Sequence, residues 1–284
     1  MATITEAKIA LRDMTSVDLE GAIELSQEHS WPHRHEDWEL YWELGEGLVA
    51  TANDRIVGTI MAWRYGNDFA SLGMVIVKEG LDRNAIAGRL MEAMMERLDG
   101  RSVLLNATQI GLPLYASLGF VPCGVIHQHE GPAPSVPLPE LQPLERVRPM
   151  GQADEALAEM YSRANGMDRG YLFDALARDG KTVVLSRDHE PVGFAMSRPF
   201  GRGRSIAPIV APDLEGAKVL VSHWMGTRAG RFCRIDVVEG LGLSRWLETM
   251  GLPKYDSMTT MVRGAPPQLS DAPRIFGIAT QAFC

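Results

Sequence analysis

Hydrophobic and polar positions in the first 130 residues follow two periods, and their order predicts a mixed sheet with helices. Short apolar runs bounded by turn residues predict strands, whereas apolar positions three and four residues apart predict helices. The clearest helix places Ile86, Leu90, Met91, Met94 and Leu98 on one face. In chain order, the predicted elements are a strand (8–12), two helices (16–28 and about 35–44), a hairpin (48–65), a strand (70–77), a helix (86–98), a strand (102–107), a short helix (112–118) and a strand (120–128). Antiparallel and crossover connections together predict an α+β fold, with a mixed sheet and helices on both faces.

The same pattern occurs a second time in the chain. LRDMTSVDLEGAIEL, beginning at Leu11, resembles VRPMGQADEALAEM, beginning at Val147. The hairpin LVATANDRIVGTIMA resembles TVVLSRDHEPVGFAM, and NATQIGLPLYASLGF resembles DVVEGLGLSRWLETMGL. Three matches in the same order and at a nearly constant offset predict two copies of one unit.

Prolines divide the two copies. The segment 131–146 contains Pro132, Pro134, Pro137, Pro139 and Pro143, a composition typical of a stiff, extended connector. The sequence therefore predicts a first domain over 1–130, a linker over 131–146 and a second domain over 147–284. The apolar spacing of the final segment, IFGIATQAFC, predicts that it packs on the second domain.

Composition and charge narrow the function classes. The chain has 284 residues, 45% of them hydrophobic, and a formal net charge of −8. It contains no long Lys or Arg run, so we expect no nucleic-acid partner. No apolar stretch is long enough to cross a bilayer and the start lacks a signal-peptide pattern, so we expect a cytoplasmic protein without a membrane partner. Three widely spaced cysteines, and a His33-x-His35 pair without a third ligand, predict no metal.

Three segments together carry a family resemblance. The order of LGMVIV, the turn DRNAIAGR and then PLYASLGF resembles the GNAT superfamily of acyl-CoA-dependent N-acyltransferases. More narrowly, the chain resembles bacterial tandem members with a WPHRHEDW-like segment in the first half and a YitH-type second half. The resemblance covers nearly the whole chain. It implies tandem GNAT-like domains, with acetyl-CoA as the co-substrate of the first.

The resemblance also implies where acetyl-CoA binds. In the family, a strand presents extended backbone to the pantetheine arm, and the N–H groups that open the following helix hold the pyrophosphate. Asn106, at the end of a strand, is a candidate partner of the pantetheine amides, and it fits the start of a turn equally well. The strand and turn positions aligned with this site, and therefore candidates for binding the cofactor, are Val75, Val77, Arg83, Asn84, Ala85, Ile86, Ala87 and Gly88, and of the turn pattern only Ala87 matches cleanly.

Two positions of the turn depart from the family pattern Gln/Arg-x-x-Gly-x-Gly/Ala. Asp82 stands at the Gln/Arg position, and Ala85 stands at the first glycine. A carboxylate opposes a pyrophosphate by charge repulsion, and a methyl group takes up room. The alternative interpretation of this segment is an ordinary helix start, with Asp82 and Asn84 as cap residues.

Tyr115 is the candidate general acid. Its place in PLYASLGF matches the family residue whose phenol shares or donates a proton to the departing thiolate, a thiol having a pKa near ~8.5 and a phenol near ~10. The alternative is a core aromatic beside Phe120. In the second copy its counterpart is Trp246, whose indole supplies no acidic O–H. The second copy also has VAPDLEGAKVL in place of the turn. We therefore expect the second copy to catalyse no reaction of its own.

The segment SWPHRHEDW is the densest ionisable cluster. In the family this region borders the acceptor pocket, which makes His33 or Glu36 a candidate general base, while Trp31, Asp37 and Trp38 are candidates for binding the substrate amine. The alternative is structural: Trp38 belongs to a helical core stripe, and Glu36 and Asp37 are acids of a first helical turn.

These residues lead to two functional hypotheses. The first is an N-acetyltransferase that moves an acetyl group from acetyl-CoA to a small-molecule amine or an amino terminus, with Tyr115 as general acid and strand N–H groups polarising the carbonyl. The second is a non-enzymatic GNAT-like binding or regulatory protein with a degenerate CoA site. Either form is expected to be a monomer, as an internal pseudo-dimer, or a homodimer.

Overall fold

The computed structural model describes residues 9–137 and 139–284. The predicted first strand began at Lys8, which lies outside the described residues. The α+β prediction is confirmed, because strands and helices form one mixed sheet with helices on both faces. In the first half the elements are β1 (Ala10–Asp13), a 3-10 turn (Ser16–Asp18), α1 (Leu19–Glu28), α2 (His35–Leu44), β2 (Glu46–Ala52), β3 (Arg55–Tyr65), β4 (Phe69–Val77), α3 (Arg83–Arg97), β5 (Ser102–Ala107), α4 (Leu112–Ser117) and β6 (Val121–Pro132).

The second half repeats this order of elements and adds one strand. Its elements are β7 (Glu145–Pro149), α5 (Ala156–Asn165), α6 (Gly170–Asp179), β8 (Lys181–Arg187), β9 (Glu190–Phe200), β10 (Gly203–Ala211), α7 (Leu214–Gly226), β11 (Phe232–Val238), α8 (Leu243–Thr249), β12 (Lys254–Arg263) and β13 (Arg274–Gly277). None of the helices in the described part of the chain is long and apolar enough to cross a membrane.

The 13 strands of the described residues form one sheet, in the order β1-β2-β3-β4-β5-β12-β6-β11-β13-β10-β9-β8-β7. The last strands of the two halves are exchanged: β12 pairs with β5, with Thr260 opposite Asn106, and β6 pairs with β11, with Gln128 opposite Asp236. Each half therefore completes the sheet of the other. The boundary at 131–146 remains a prediction about the sequence, because the sheet itself continues across the two halves.

Helices cover both faces of this sheet. Adjacent residues of β2 show the alternation, since Val49 belongs to the core under α1 and α2, and Leu48 belongs to the core under α3. The first of these cores extends beneath α5 and α6 of the second half. A separate core lies under α7. The two halves thus share one layer of hydrophobic packing as well as one sheet.

Strands β4 and β5 separate at one end. They pair in parallel from Phe69 with Ser102 to Leu72 with Leu105, and the described residues show no pairing between them beyond that point. Just past it, β4 has a bulge at Met74, whose φ of 54° is rare for a non-glycine residue. Thr59 Oγ1 donates a hydrogen bond to the Met74 carbonyl oxygen at 2.7 Å and holds the bulge. The result is an opening in the sheet beside irregular backbone.

The corresponding opening of the second half is filled. Strands β10 and β11 pair in parallel only at Arg204 with Cys233 and at Ser205 with Arg234. Beyond these pairs, β13 lies between the two strands, with Gly277 opposite both Ile209 and Val237. The second half therefore has a strand of its own where the first half has an opening.

The residues after β13 cross to the first half. Asn106 Nδ2 donates to the Gln281 carbonyl oxygen at 2.9 Å, and Ser71 Oγ donates to that of Ala282 at 3.2 Å. The buried guanidinium of Arg169, from the second half, donates to the Phe283 carbonyl oxygen at 2.7 Å. We predicted that this tail packs on the second half. The tail also contacts the first half, so it joins the two halves.

Candidate active site

A cavity of about 130 Å³ lies in the opening between β4 and β5. It brings together eight residues that the sequence predicted for the site: Trp31, Val75, Val77, Arg83, Asn84, Ala87, Asn106 and Tyr115. Of the other predicted cofactor positions, Ala85, Ile86 and Gly88 do not line it. The Ile86 side chain is buried in the core, where it packs against Gly58. The cavity is bounded by the first turn of α3 and by α4, and its use as a cofactor slot remains a prediction.

The Asp82 side chain caps the N-terminus of α3. The Asp82 carboxylate accepts a hydrogen bond from the Ala85 N–H at 3.0 Å, which is the geometry of an N-cap. One backbone donor of this helix terminus is therefore already paired, and a negative charge lies beside it. Arg83 and Asn84, which follow, are exposed and border the cavity. The helix terminus therefore has one open N–H donor fewer than an uncapped helix start.

The Tyr115 ring packs against the backbone of its own helix. A Cβ at Gly111 would lie 2.8 Å from Tyr115 Cε2, and the Phe120 ring stands edge-on at 6.2 Å. The hydroxyl makes no hydrogen bond to any described residue. Burial raises the pKa of Tyr115 to about 12, against an opposing effect from the positive charge of Arg83. The phenol is therefore protonated at neutral pH and has a free donor.

Asn106 holds the tail. Its Nδ2 donates to Gln281 as described, and its Oδ1 accepts a hydrogen bond from Thr260 Oγ1 at 2.7 Å. The side chain borders the cavity, but both its amide nitrogen and its amide oxygen already make hydrogen bonds. Its predicted contact with pantetheine remains a prediction.

A second cavity, of about 280 Å³, lies between the halves. It adjoins the first at the β4 bulge, since Trp31, Gly73 and Met74 line both. His33 lines its wall from the segment between α1 and α2, and Gln281 lines it from the tail. An acceptor that entered this cavity would therefore meet the co-substrate slot at Met74.

His33 lies in an aromatic cluster. The rings of Trp38, Tyr41 and Phe200 stand edge-on to it at 6.3, 5.8 and 5.9 Å. Its Nδ1 is buried and has no hydrogen-bond partner among the described residues. Burial lowers the pKa of His33 to about 4, and the charge of Arg234 acts in the same direction. The imidazole is consequently neutral at pH 7.

The structure does not bring Glu36, Asp37 and Trp38 to either cavity. The Asp37 side chain is 1% exposed and accepts hydrogen bonds from the Arg34 guanidinium at 2.9 Å and the Gly201 N–H at 3.0 Å. Trp38 is fully buried, and Glu36 points to solvent at the helix surface. Their first-turn positions on α2 account for this, because the helix directs Trp38 into the core and leaves Glu36 outside. The structural alternative given above describes these three residues.

Sequence reasoning missed the floor of the second cavity. Gln128 and Glu130 on β6 lie opposite Asp236 and Arg234 on β11. Gln128 Nε2 donates to Glu130 Oε2 at 2.8 Å, and Arg234 binds Asp236 through Nε and Nη2 at 3.0 and 2.8 Å. Arg202, in the β9–β10 turn, lines the same cavity. The signal was present in β11, where two charged residues alternate with residues of a buried strand.

Within the described residues, no group of three or more His, Cys, Asp or Glu side chains is arranged to hold a metal ion.

Comparisons with known proteins agree with the two-part organisation. Residues 14–133 and 157–277 each match a family model described as "Acetyltransferase (GNAT) domain". YitH of Bacillus subtilis (strain 168), described as an uncharacterised N-acetyltransferase, is 25% identical over 244 residues, which span 83% of this chain and 85% of YitH.

Solved structures share the fold over nearly the whole length. A Pyrococcus horikoshii protein, provisionally assigned as an acetyltransferase, superposes with a TM-score of 0.81 at 19% identity, covering 97% of this chain and 96% of that one. A tandem GNAT protein from the clavulanic acid biosynthesis pathway has a TM-score of 0.65 at 12% identity, covering 92% and 100%. At these identities the likeness concerns the fold.

Proposed function

Because the chain belongs to the GNAT superfamily and carries two of its acetyltransferase domains in tandem, we propose that it transfers an acetyl group from acetyl-CoA to an amine of a small molecule or an amino terminus. The observation that carries this proposal is the meeting of two cavities at the Met74 bulge, one bordered by Tyr115 and the start of α3, the other open between the halves. The reaction takes place in the first half. A single chain supplies every residue that the proposal uses.

The residues of the slot fit an acyl-CoA in their chemistry. The unpaired part of β4 offers extended backbone to the amides of a pantetheine arm, and Arg83 supplies a positive charge beside the α3 terminus. The Asp82 carboxylate opposes a pyrophosphate by charge repulsion. Because Asp82 is exposed at the helix start, an adjacent phosphate remains partly hydrated and the repulsion is screened.

The proposed chemistry is direct transfer with both substrates bound. The neutral amine nitrogen forms a bond to the acetyl carbonyl carbon, and the bond between that carbon and sulfur breaks. The amine nitrogen releases one proton to water. The sulfur leaves as a thiolate that accepts a hydrogen bond from the Tyr115 hydroxyl, and it then takes its proton from solvent. Backbone N–H groups of the β4 bulge polarise the carbonyl oxygen during the attack.

Tyr115 is suited to donate a hydrogen bond to sulfur. With a pKa of about 12, the Tyr115 phenol stays protonated at neutral and mildly basic pH. Full transfer of its proton to a thiolate, whose thiol has a pKa near ~8.5, is uphill. Partial transfer, with Arg83 stabilising the charge that develops on the phenol oxygen, is therefore the role that we propose.

His33 is the proposed neighbour of the attacking amine. A neutral imidazole accepts a hydrogen bond from an ammonium or from water, which a protonated one cannot do. Its low pKa makes it a weak base, so we propose that it orients the amine and a water molecule and that the proton leaves to solvent. Glu36 is exposed on α2 and lines neither cavity, so it does not fill this role.

The Asp82–Ala85 hydrogen bond favours one second candidate function. If the paired N–H and the carboxylate exclude the pyrophosphate, the chain is a GNAT-like binding protein whose ligand occupies the cavity between the halves. No acyl transfer then occurs.

Two measurements decide between these functions. The first is thermal unfolding with saturating CoA, acetyl-CoA and longer acyl-CoAs, where a ligand that binds only the folded chain raises the Tm. The second is thiol release from acetyl-CoA with a panel of amines. A Tm rise with acetyl-CoA and amine-dependent thiol release support the transferase. Absence of any Tm change with the whole acyl-CoA series would overturn it.

A further inference from the structure

Two opposite charges face each other on the floor of the cavity between the halves. Glu130 on β6 and Arg234 on β11 are directly opposed in the antiparallel register, and both line the cavity. Their side chains are 9% and 13% exposed. Ionised side chains so far removed from water are costly unless they are paired, and such groups cluster at functional sites.

Each of the two charged groups has an unused position. Among the described residues, the Glu130 carboxylate receives one hydrogen bond, from Gln128, on Oε2. Its Oε1 is 3.9 Å from Arg202 Nη1, beyond hydrogen-bond length. Arg234 uses Nε and Nη2 on Asp236, and its Nη1 makes no hydrogen bond to any described residue. The floor therefore presents one acceptor and one donor, of opposite charge, to whatever enters.

The floor contains both signs of charge before any ligand binds. Glu130 and Asp236 are negative and Arg234 is positive, while the exposed Arg202 and Asp256, which also line the cavity, add one charge of each sign. A ligand with a single charge would pair with either Glu130 Oε1 or Arg234 Nη1 and would leave the other atom with neither water nor a partner. An unpaired charge in an enclosed site costs free energy. A ligand with an ammonium and a carboxylate on neighbouring atoms satisfies both.

We propose that the acceptor is a free amino acid, with its ammonium group on Glu130 Oε1 and its carboxylate on Arg234 Nη1. This inference rests on the proposed function, since it names the substrate class of that site. Directly opposed residues in antiparallel strands have Cα atoms about 4.5–5.5 Å apart, so the two side chains lie next to each other on one face of the sheet. Arg202, 54% exposed, adds a positive charge at the mouth of the cavity.

The experiment measures binding and does not depend on turnover. Thermal unfolding and titration calorimetry are run with a panel of free L-amino acids, each matched with its carboxamide and its decarboxylated amine, in the presence of CoA. We expect at least one amino acid to bind, and its carboxamide and amine to bind at least tenfold more weakly. Binding of no amino acid, or equal binding of all three forms, would overturn the proposal.

Variants test the residues. Glu130→Gln keeps the side-chain shape, and the double variant R234Q/D236N removes both charges of a buried pair without leaving either alone. We expect each to weaken amino-acid binding at least tenfold and to leave the Kd for CoA unchanged. Arg245→Ala, an exposed change on α8, is the matched control. Unchanged amino-acid binding in both cavity variants would contradict the assignment.

The transferase proposal and the amino-acid assignment can each fail without the other. If amino acids bind as described but acetyl-CoA releases no thiol, the transferase proposal is wrong and the binding assignment stands. If thiol release occurs with amines that lack a carboxylate and not with amino acids, the transferase proposal stands and the substrate class is wrong.

Discussion

Asp82 accepts a hydrogen bond from the backbone N–H of Ala85 at 3.0 Å, and this bond closes the first turn of α3. The second half has the same cap on α7, where Asp213 accepts from the Gly216 N–H at 2.7 Å. In the second half the cap has no open slot beside it, because β13 occupies the space between β10 and β11. The same local structure therefore has different consequences in the two halves.

Asp82→Asn should tighten acetyl-CoA binding. Asparagine caps a helix about as well as aspartate, so stability is preserved while the charge that repels the pyrophosphate is removed. A unit charge several ångströms away in a solvated site is worth about 1 kcal/mol, which corresponds to a roughly fivefold lower Kd. Calorimetric titration measures the Kd, with Asp213→Asn as the matched control. An equal effect of both variants, or weaker binding in D82N, would argue against pyrophosphate at the α3 terminus.

Tyr115→Phe should lower kcat and leave acetyl-CoA binding nearly unchanged. The hydroxyl has no hydrogen bond to the described residues, so its removal leaves the packing against Gly111 and Phe120 intact. Loss of a general acid costs roughly 100-fold or more in rate. Steady-state kinetics give kcat, and Trp246→Phe in the second half is the control expected to keep it. A wild-type kcat in Y115F would remove Tyr115 from the proposed chemistry.

His33 should make the fold less stable in acid. Its pKa is about 4 in the folded chain, against an ordinary value near 6.5, so between these values the unfolded chain binds more protons. Stability then rises with pH through this window and is lost as the pH falls from 6.5 toward 4, by an amount on the order of 3 kcal/mol.

Urea unfolding at a series of pH values from neutral to acid measures this contribution. His33→Phe keeps an aromatic ring in the cluster without a titrating group, and it should show a shallower loss of stability than the wild type. His189→Gln, at an exposed position in the β8–β9 turn, is the control expected to retain the wild-type slope. Identical slopes for H33F and wild type would contradict the buried, neutral state of His33.

Local pattern was sufficient to predict the elements of the first half. The segment His35–Leu44 is helical as predicted, because its apolar positions recur with the helical period. The internal repeat likewise predicted two copies with the same order of elements. Such features depend on residues close together in the chain.

Long-range pairing was beyond the sequence pattern. A strand such as β12 has the same alternation whether it pairs within its own half or with β5, so the exchange of strands left no local signal. For the same reason the tail was predicted to dock without its partners in the first half, Ser71 and Asn106. The polar floor of the cavity depends on this exchange, since Glu130 and Arg234 meet only because β6 pairs with β11.

The chain should bind one equivalent of acetyl-CoA. The opening beside Tyr115 is free of strand pairing, and that of the second half contains β13. A bound co-substrate there would have to displace strand hydrogen bonds on both sides of β13. Calorimetric titration of purified protein reports the stoichiometry directly. Two equivalents of similar affinity would show that β13 leaves its place between β10 and β11.

Gly73→Ala should destabilise the fold by displacing the tail. A Cβ at Gly73 would lie 3.0 Å from Ala282 Cα and 3.2 Å from a ring carbon of Trp63, so backbone or a packed indole must move. Overpacking of this kind costs about 1–3 kcal/mol. The same change at Gly88, within α3, meets no atom of the described residues within 4 Å and should stabilise by about 0.5–1 kcal/mol, because alanine favours the helix. Urea unfolding without ligand measures both variants, and effects of the same sign would contradict the docking of Ala282 on β4.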